Sequence, residues 1–284
     1  MGLNKVVGSG ICAVSSLLAL GAAPAALGQE SHGSDTGTIR EVREFRVVLP
    51  FENVPRAITT EVVDDVVVYE GDIVLGTTRE LERRRSIIID GNRYRWPSSI
   101  IPYFLPANHP QRTRIEAAIR MVEQTTNLCM VPRTTQTAYV AFVDGSGCSS
   151  SVGRQGRAQN ITIGSCSTGS VVHEIFHSAG LYHEQSREDR NAFITVHLEN
   201  VEPGKEHNFD RRVSNATDFA AYDYGSIMHY GATAFSINGL PTITVNPQPD
   251  GLMPLIGQRT EPSPTDIAAI NTLYAENTTP VCLR

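Results

Sequence analysis

Helices are predicted from the spacing of apolar residues along the chain. One covers residues 113–127, where apolar side chains recur at i, i+3, i+4 and i+7, namely Ile115, Ala118, Ile119 and Val122. Another covers residues 267–274, with Ser263 or Thr265 near its start and Asp266 in its first turn. The first of these helices should pack its apolar face on a core.

Short runs of β-branched and aromatic residues predict strands. Residues 100–105 form one run, in which Pro102 suits an edge strand or the start of a strand. Residues 139–143 and 161–163 form two more, separated by a loop rich in Gly and Ser. Residues 42–75 carry further β-branched runs ahead of a charged stretch.

The first 28 residues have the pattern of a secretory signal peptide. Lys5 precedes a long apolar stretch of small residues, and Ala26-Leu27-Gly28 fits a cleavage site before Gln29. A membrane anchor is the alternative, but Gly, Ser and Pro interrupt the stretch and no charged stop follows it. We therefore expect a secreted protein with no membrane partner.

A basic run divides the rest of the chain into two parts of different composition. Arg83-Arg84-Arg85 could be a solvated face, but between such parts of an exported chain it is typical of an exposed cleavage site for a trypsin-like protease. The sequence thus predicts a signal peptide over residues 1–28, a pro-segment over residues 29–85 and a body over residues 86–284.

Charge and cysteine content narrow the class of protein. The net charge of −6 shows no basic excess for phosphate binding, which excludes nucleic acid as an expected partner. Four cysteines remain after the signal peptide: Cys129, Cys148, Cys166 and Cys282. An even number in an exported chain predicts disulfides, and four cysteines allow three pairings, among which the sequence does not choose.

The motif that predicts chemistry is His-Glu-x-x-His, at His173, Glu174 and His177, on a helix predicted over residues 171–179. Residues i and i+4 share a helix face, so both imidazoles can reach one zinc ion. Glu174 can contact a metal-bound water without being a ligand, which suits a general base. The alternative interpretation, unrelated histidines, is disfavoured by the residues that follow.

Gly180 and His183 extend this motif into a three-ligand site. Glycine tolerates positive φ, so Gly180 can end the helix and turn the chain until His183 reaches the same metal. Three protein ligands and one open position indicate catalytic zinc. Met228, 45 residues after His183, lies in Ser226-Ile227-Met228-His229-Tyr230. The extended motif with a later Met-turn is the known signature of metzincin proteases.

Residues 87–282 closely resemble the astacin family of metalloendopeptidases. Glu184 directly follows the third histidine, Tyr230 lies two residues after Met228, and the four cysteines have the family's order. The resemblance implies an α+β, two-lobed fold with a mixed twisted sheet, an active-site helix and an irregular C-terminal lobe. It also implies one Zn²⁺ per chain and protein or peptide substrates. Asn191 departs from the acid that many relatives have there.

The same resemblance implies roles for individual residues. His173, His177 and His183 would bind zinc, Glu174 would be the general base, and Met228 would lie beneath the metal. Tyr230 would ligate the resting zinc and then swing to stabilise the oxyanion, unless it is a packed core tyrosine. Glu184 would anchor the new N-terminus near Ser86 or Ile87, unless it is a solvated surface carboxylate. The implied disulfides are Cys129–Cys282 and Cys148–Cys166, and a strand near residues 148–152 would pair with extended substrate.

Two further residues gain expected roles from the resemblance. Tyr69-Glu70-Gly71-Asp72 is similar to the aromatic-x-Gly-Asp motif of astacin pro-segments, with Tyr69 in place of the usual Phe. Asp72 would then occupy the open zinc position and keep the precursor latent; a simple turn is the alternative. Arg259 would favour acidic residues at P1′, unless it is an ordinary surface arginine.

Other classes of protein fit the sequence less well. A serralysin or matrixin would share the zinc motif but not Glu184, the cysteine pattern or the pro-segment motif. A catalytically silent protein-binding module would need a lost ligand or base, and none is missing. A monomer is expected.

Overall fold

The computed structural model describes residues 41–52, 55–83, 91–212, 218–249, 251, 253–275 and 282. The predicted signal peptide lies outside these residues, as do Arg84, Arg85, Ser86 and Ile87. The helices are α1 (Thr78–Arg83), α2 (Arg112–Thr125), α3 (Thr168–Ala179) and α4 (Pro264–Leu273). The strands are β1 (Glu41–Val47), β2 (Arg56–Val63), β3 (Val66–Tyr69), β4 (Ile73–Thr77), β5 (Ile100–Phe104), β6 (Cys129–Pro132), β7 (Tyr139–Val143), β8 (Cys148–Ser150), β9 (Ala158–Ile163), β10 (Ile194–Val196) and β11 (Ile243–Val245).

Nine strands of the described chain form one mixed sheet in the order β1-β2-β3-β4-β8-β9-β7-β5-β6. The strands β9, β7, β5 and β6 run parallel to one another, and β8 lies antiparallel to β9. The first four strands form an antiparallel meander of the predicted pro-segment. That meander joins the body where β4 pairs in parallel with β8, at Ile73 and Ser150.

The main core lies between this sheet and helices α2 and α3. The predicted apolar stripe of α2, Ile115, Ala118, Ile119 and Val122, is buried. Trp96, Phe142, Phe176 and Met228 lie in the same cluster of buried side chains. Full burial of one large apolar side chain contributes about 1.5–3 kcal/mol, so this core stabilises the helix that carries the metal-binding motif.

Helix boundaries follow the capping residues. Helix α4 begins at Pro264, three residues before the predicted start, because Ser263 and Asp266 form a capping box around its first turn. Helix α3 begins at Thr168 because the Ser167 side chain accepts a hydrogen bond from the main-chain N–H of Ser170. Of the two N-terminal residues considered for α4, Ser263 is the cap.

The expectation that Pro102 marks an edge strand or a strand start is wrong. Strand β5 lies between β7 and β6 in the sheet, and Pro102 is its third residue. Proline is tolerated there because β5 pairs with β7 only at Tyr103 and Phe104. Pro102 therefore needs no main-chain N–H for a bond to β7.

The C-terminal lobe is less regular than the sheet-bearing lobe. Its described part contains the two-stranded β10–β11 ribbon and several single turns of 3₁₀ helix. A second core holds it together, formed by Ile194, Val201, Phe209, Tyr222, Tyr230, Ala234, Phe235, Ile243 and Ile256. The two disulfides are Cys129–Cys282 and Cys148–Cys166, the pairing that the resemblance implies. No helix in the described ranges is long and apolar enough to cross a membrane.

Candidate metal centre and active site

Helix α3 and the turn after it bring three histidines together. His173 and His177 are one helical turn apart, with ring centroids separated by 4.5 Å. Gly180 ends the helix with a φ of 121°, a conformation that other residues rarely adopt. The chain then reverses, and His183 Nε2 lies 3.3 Å from His177 Nε2. The predicted role of Gly180 as the helix end is confirmed.

Asp72 of the predicted pro-segment completes the cluster. Its carboxylate oxygens lie 3.2 Å from His183 Nε2, 3.4 Å from His173 Nε2 and 3.6 Å from His177 Nε2. One donor atom from each of the four residues falls within 4.8 Å of all the others. The interpretation of the Glu-Gly-Asp stretch as only a turn is therefore insufficient, because the turn delivers Asp72 to the histidines.

The spacing of these atoms fits a tetrahedral zinc ion. Zinc lies about 2.0–2.1 Å from nitrogen and carboxylate ligands, so ligand atoms at the corners of a tetrahedron are about 3.3 Å apart. The distance between His177 Nε2 and His183 Nε2 and the distances from the Asp72 oxygens to the three histidines lie close to that value. Three imidazoles and a carboxylate are also the donor types that zinc prefers.

Hydrogen bonds on the outer side of the rings orient the histidines. His173 Nδ1 lies 2.8 Å from the carbonyl oxygen of Ile227, and His177 Nδ1 lies 2.8 Å from that of Leu181. His183 Nδ1 lies 2.9 Å from the Glu70 carboxylate. Oxygen acceptors require a proton on each Nδ1, so each Nε2 faces the centre of the cluster.

The pKa values of the histidines depend on burial and on the carboxylates. Burial lowers the pKa of His173 to about 4 and that of His177 well below its usual range, which favours neutral rings with a free lone pair. Burial also opposes the charge of His183, but Asp72 and Glu70 outweigh it and raise the pKa of His183 to about 9. Zinc would replace that proton.

Neither carboxylate oxygen of Glu174, the residue after His173 on helix α3, has a hydrogen-bond partner among the described residues. It is almost fully buried. Burial and then the Asp72 carboxylate raise the pKa of Glu174 well above its usual range, whereas Arg259 opposes this shift. A buried carboxylate with a raised pKa can accept and return a proton near neutral pH.

Tyr230 is fully buried beside the cluster. Its ring centroid lies 4.7 Å from that of His183, and its hydroxyl donates a hydrogen bond to the main-chain carbonyl of Glu70. Burial, then the Asp72 and Glu70 carboxylates, raise the pKa of Tyr230 well above its usual range. The phenol therefore remains a proton donor.

The Met-turn is tied to helix α4 through Asp266. One carboxylate oxygen accepts from the Ser226 hydroxyl at 2.6 Å, and the other accepts from the Ile227 N–H at 2.8 Å. Ile227 also holds His173, while Met228 is buried next to it. Asp266 thus positions the turn that orients a histidine of the cluster.

The predicted N-terminus anchor lies in a cavity. Glu184 accepts hydrogen bonds from the Asp223 N–H at 2.8 Å and from Arg187 at 3.3 Å. It lines a cavity of about 510 Å³ that Phe51 and Glu52 of the predicted pro-segment also line. Burial raises the pKa of Glu184 to about 7.

Arg259 is held close to the metal centre. One Nη donates to the carbonyl oxygen of His229 at 3.0 Å, and its charge acts on both His173 and Glu174. The residue is partly buried.

Sequence reasoning missed two partners of the site. Glu70 was only the variable residue of the pro-segment motif, yet it contacts both His183 and Tyr230. Asp266 was only an acid in the first turn of α4, yet it holds the Met-turn. The available signal for Glu70 was its place next to Gly71 and Asp72 in that motif; nothing local to the sequence indicated the contact of Asp266.

Comparisons with known proteins agree with this geometry. A sequence model of the astacin peptidase family matches residues 89–275. Protein SpAN of Strongylocentrotus purpuratus is 42% identical over 207 residues, which cover 68% of this chain and 33% of SpAN. The chain therefore spans about a third of the length of that relative. High choriolytic enzyme 1 of Oryzias latipes is 35% identical over 225 residues, covering 77% of this chain and 82% of that protein.

A solved structure matches as well. It is that of high choriolytic enzyme 1, described as a hatching enzyme zinc-protease from Oryzias latipes. The TM-score is 0.60 with 33% sequence identity, and the match covers 67% of this chain and 99% of that one. The chain therefore belongs to the astacin family of zinc metalloendopeptidases, within the metzincin clan.

Proposed function

We propose that this protein is a secreted zinc endopeptidase made as a latent precursor. Residues 1–28 direct export, residues 29–85 hold the enzyme inactive, and residues 86–284 hydrolyse peptide bonds. The observation that carries this proposal is the position of the Asp72 carboxylate among the three histidines. A trypsin-like protease cutting at the triple arginine would release the activity, and the mature enzyme would act as a monomer.

His173, His177 and His183 would hold the zinc ion of the mature enzyme, and Asp72 would take its fourth position in the precursor. When bound, zinc activates water and polarises the scissile carbonyl. Glu174 would accept a proton from the attacking water as the water oxygen bonds to the scissile carbonyl carbon, and would return it to the amine nitrogen as the C–N bond breaks. Tyr230 donates its hydroxyl to the oxyanion that develops on the carbonyl oxygen.

The pro-segment also blocks the edge on which an extended substrate would pair. The main-chain N–H of Ser150 donates to the carbonyl oxygen of Asp72 at 3.0 Å, and β4 pairs with β8 where Ile73 lies opposite Ser150. Strand addition at an open edge is a common way to bind extended peptides. The contact supports β8 as the substrate-binding edge in the mature enzyme.

Removal of the pro-segment would free two further groups. The Tyr230 hydroxyl would lose its bond to Glu70 and become available to substrate. Departure of Phe51 and Glu52 would open the cavity at Glu184 to the new N-terminus near Ser86 or Ile87. A buried carboxylate gains most from such an ammonium partner.

Substrate preference at P1′ is proposed from Arg259. A guanidinium next to the metal centre can bind a carboxylate through two parallel hydrogen bonds. Peptides with Asp or Glu directly after the scissile bond should therefore be cleaved best.

The function is tested with purified residues 29–284 and a quenched fluorogenic peptide containing an internal Asp. Hydrolysis is measured before and after limited trypsin treatment, with Glu174→Ala treated identically. Activity that appears only after trypsin and requires Glu174 supports the proposal. Equal signals from the two proteins, with zinc bound to both, would instead favour the silent binding module.

A further inference from the structure

A recess that contains a lysine lies in the C-terminal lobe, on a different element from Arg259. The proposed pro-segment fills this recess. Lys205 Nζ lies 2.6 Å from one carboxylate oxygen of Glu61. Asn208 Nδ2 donates to the other oxygen at 3.1 Å, and His207 Nε2 lies 3.5 Å from it. All four residues are buried, so this receptor, formed by Lys205, His207 and Asn208, encloses a desolvated carboxylate.

The receptor and the Glu61 carboxylate that it binds lie on opposite sides of the proposed cleavage site in the sequence. Glu61 lies on β2 of the pro-segment, whereas the receptor residues follow one another on a short turn of the body. Main-chain bonds hold that turn, from Lys205 N–H to the Glu202 carbonyl at 3.0 Å and from Asn208 N–H to the Lys205 carbonyl at 3.1 Å. Loss of Glu61 would therefore leave a preorganised site for an anion.

The recess is close to the path of the chain across the metal centre. Lys205 Nζ lies 5.9 Å from the centroid of the Phe235 ring. That ring packs against Gly71, where a Cβ would come within 2.5 Å of it. Gly71, with a φ of 76°, directly precedes Asp72. One aromatic ring thus separates the recess from the peptide that passes the histidines.

The receptor binds the charged form of its ligand. Burial alone would raise the pKa of Glu61, but the contacts with His207, Lys205 and Asn208 outweigh burial and lower it to about 2. A receptor with this preference discriminates Asp from Asn, although the two side chains have almost the same shape.

We propose that Lys205, His207 and Asn208 form a subsite that binds an Asp or Glu side chain of an extended peptide substrate. The proposal rests on the proposed function, because the pro-segment must leave first. This subsite lies on a different element from Arg259 and reads a different substrate position. In the precursor, Glu61 occupies it in place of the substrate.

The sequence allows a direct test of access to the subsite. Lys205 is the single lysine of residues 29–284. Treatment with an amine-acylating reagent, followed by peptide mass mapping, should modify Lys205 after trypsin processing but not before. Modification to the same extent in both forms, or in neither, would overturn the proposal.

Specificity is tested with fluorogenic peptides that carry Asp or Asn at one position at a time from P4 to P4′. Wild type should prefer Asp about tenfold at one position besides P1′. Lys205→Met should reduce that Asp:Asn ratio to about 1, and Lys205→Arg should keep a preference. Arg211 is exposed and donates to the carbonyl of Glu188, so Arg211→Met should not change the ratio. A ratio that is the same in wild type and Lys205→Met contradicts the subsite.

A binding experiment separates this proposal from the proposed function. Fluorescence anisotropy with the processed Glu174→Ala protein measures the same Asp:Asn ratio without turnover. If the wild type hydrolyses none of the peptides, the peptidase proposal fails while the ratio in binding still decides the subsite. An Asp:Asn ratio in binding that falls when Lys205→Met is added supports the subsite. A ratio that Lys205→Met leaves unchanged overturns it.

Discussion

The hydroxyl of Tyr230 donates a hydrogen bond to the main-chain carbonyl of Glu70, 2.5 Å away. The two residues are separated by 160 positions in the chain and by the proposed activation site. The proposed pro-segment therefore engages the proposed oxyanion donor as well as the proposed zinc position. Latency would then depend on two contacts at the centre of the active site.

Replacement of Tyr230 by Phe should impair the processed enzyme in turnover. Loss of one oxyanion donor typically lowers kcat by about 10²–10³-fold. KM and zinc content should change little, because the phenol is not part of the histidine cluster. Steady-state kinetics measure kcat and KM, and metal analysis measures the zinc content. A kcat within about threefold of wild type would argue against Tyr230 as the oxyanion donor.

Glu70→Ala should raise the activity of the unprocessed precursor, though less than replacement of Asp72. The change leaves the Nδ1 of His183 without its carboxylate acceptor, which weakens the hold of the pro-segment. Glu70→Gln keeps an acceptor oxygen and should remain close to wild type. After trypsin, both variants should match wild type, because residue 70 is then gone.

Asp266→Asn should lower zinc affinity about tenfold, although Asp266 is not among the four residues of the cluster. The amide replaces an acceptor oxygen with a donor next to Ser226 or Ile227, and Ile227 orients His173. Competition with a chelator measures the affinity. Ser263→Ala is the matched control, since it removes the helix cap but leaves the Ile227 contact.

The same Asp266 experiment distinguishes positioning from folding. Both substitutions should lower the free energy of unfolding by about 1 kcal/mol through the lost cap. Only Asp266→Asn should change zinc affinity. Equal zinc affinity in the two variants would mean that the Met-turn does not depend on this carboxylate.

Glu61 should stabilise the precursor in a pH-dependent way. Its pKa falls from 4.5 to about 2 in the folded protein, which corresponds to about 3 kcal/mol. A lowered pKa means that this contribution is complete above pH 4.5 and is lost as the pH falls toward 2. Lys205 and His207 are the charged or titratable side chains that contact Glu61 in the described part of the chain.

Urea unfolding of the precursor tests this pH dependence. Glu61→Gln should be less stable than wild type by about 3 kcal/mol at pH 7, and the difference should shrink as the pH falls below 4.5. Glu44→Gln, at an exposed position on β1, should show little difference at any pH. A difference in the free energy of unfolding between wild type and Glu61→Gln that stays constant with pH would contradict this role of the ionised Glu61 carboxylate.

Much of the metal centre could be predicted from the sequence because its parts are local. His173 and His177 share a helix face by spacing alone, and Gly180 allows the turn that returns His183. The apolar stripe of α2 predicted the buried face of that helix for the same reason.

The joining of the sheet and the partners of the metal centre could not be predicted, because they depend on contacts between distant parts of the chain. Pairing of Ile73 with Ser150 joins the pro-segment to the body sheet, and no local pattern in either strand specifies its partner. Asp266 contacts Ile227 across 39 positions, and Glu70 contacts His183 across 113. The position of Pro102 in the sheet was predicted wrongly. A proline shows that a main-chain N–H is missing, but it does not show whether a neighbouring strand needs that N–H for a hydrogen bond.

The proposal that Asp72 keeps a competent zinc peptidase latent is best tested in the unprocessed precursor. Hydrolysis of the fluorogenic peptide by wild type, Asp72→Ala and the Asp72→Ala/Glu174→Ala double variant is compared without trypsin. We expect activity at least about tenfold above wild type for Asp72→Ala, because the open zinc position can then hold water, and none for the double variant. An Asp72→Ala precursor that is as silent as wild type, yet becomes active after trypsin, would contradict the proposal.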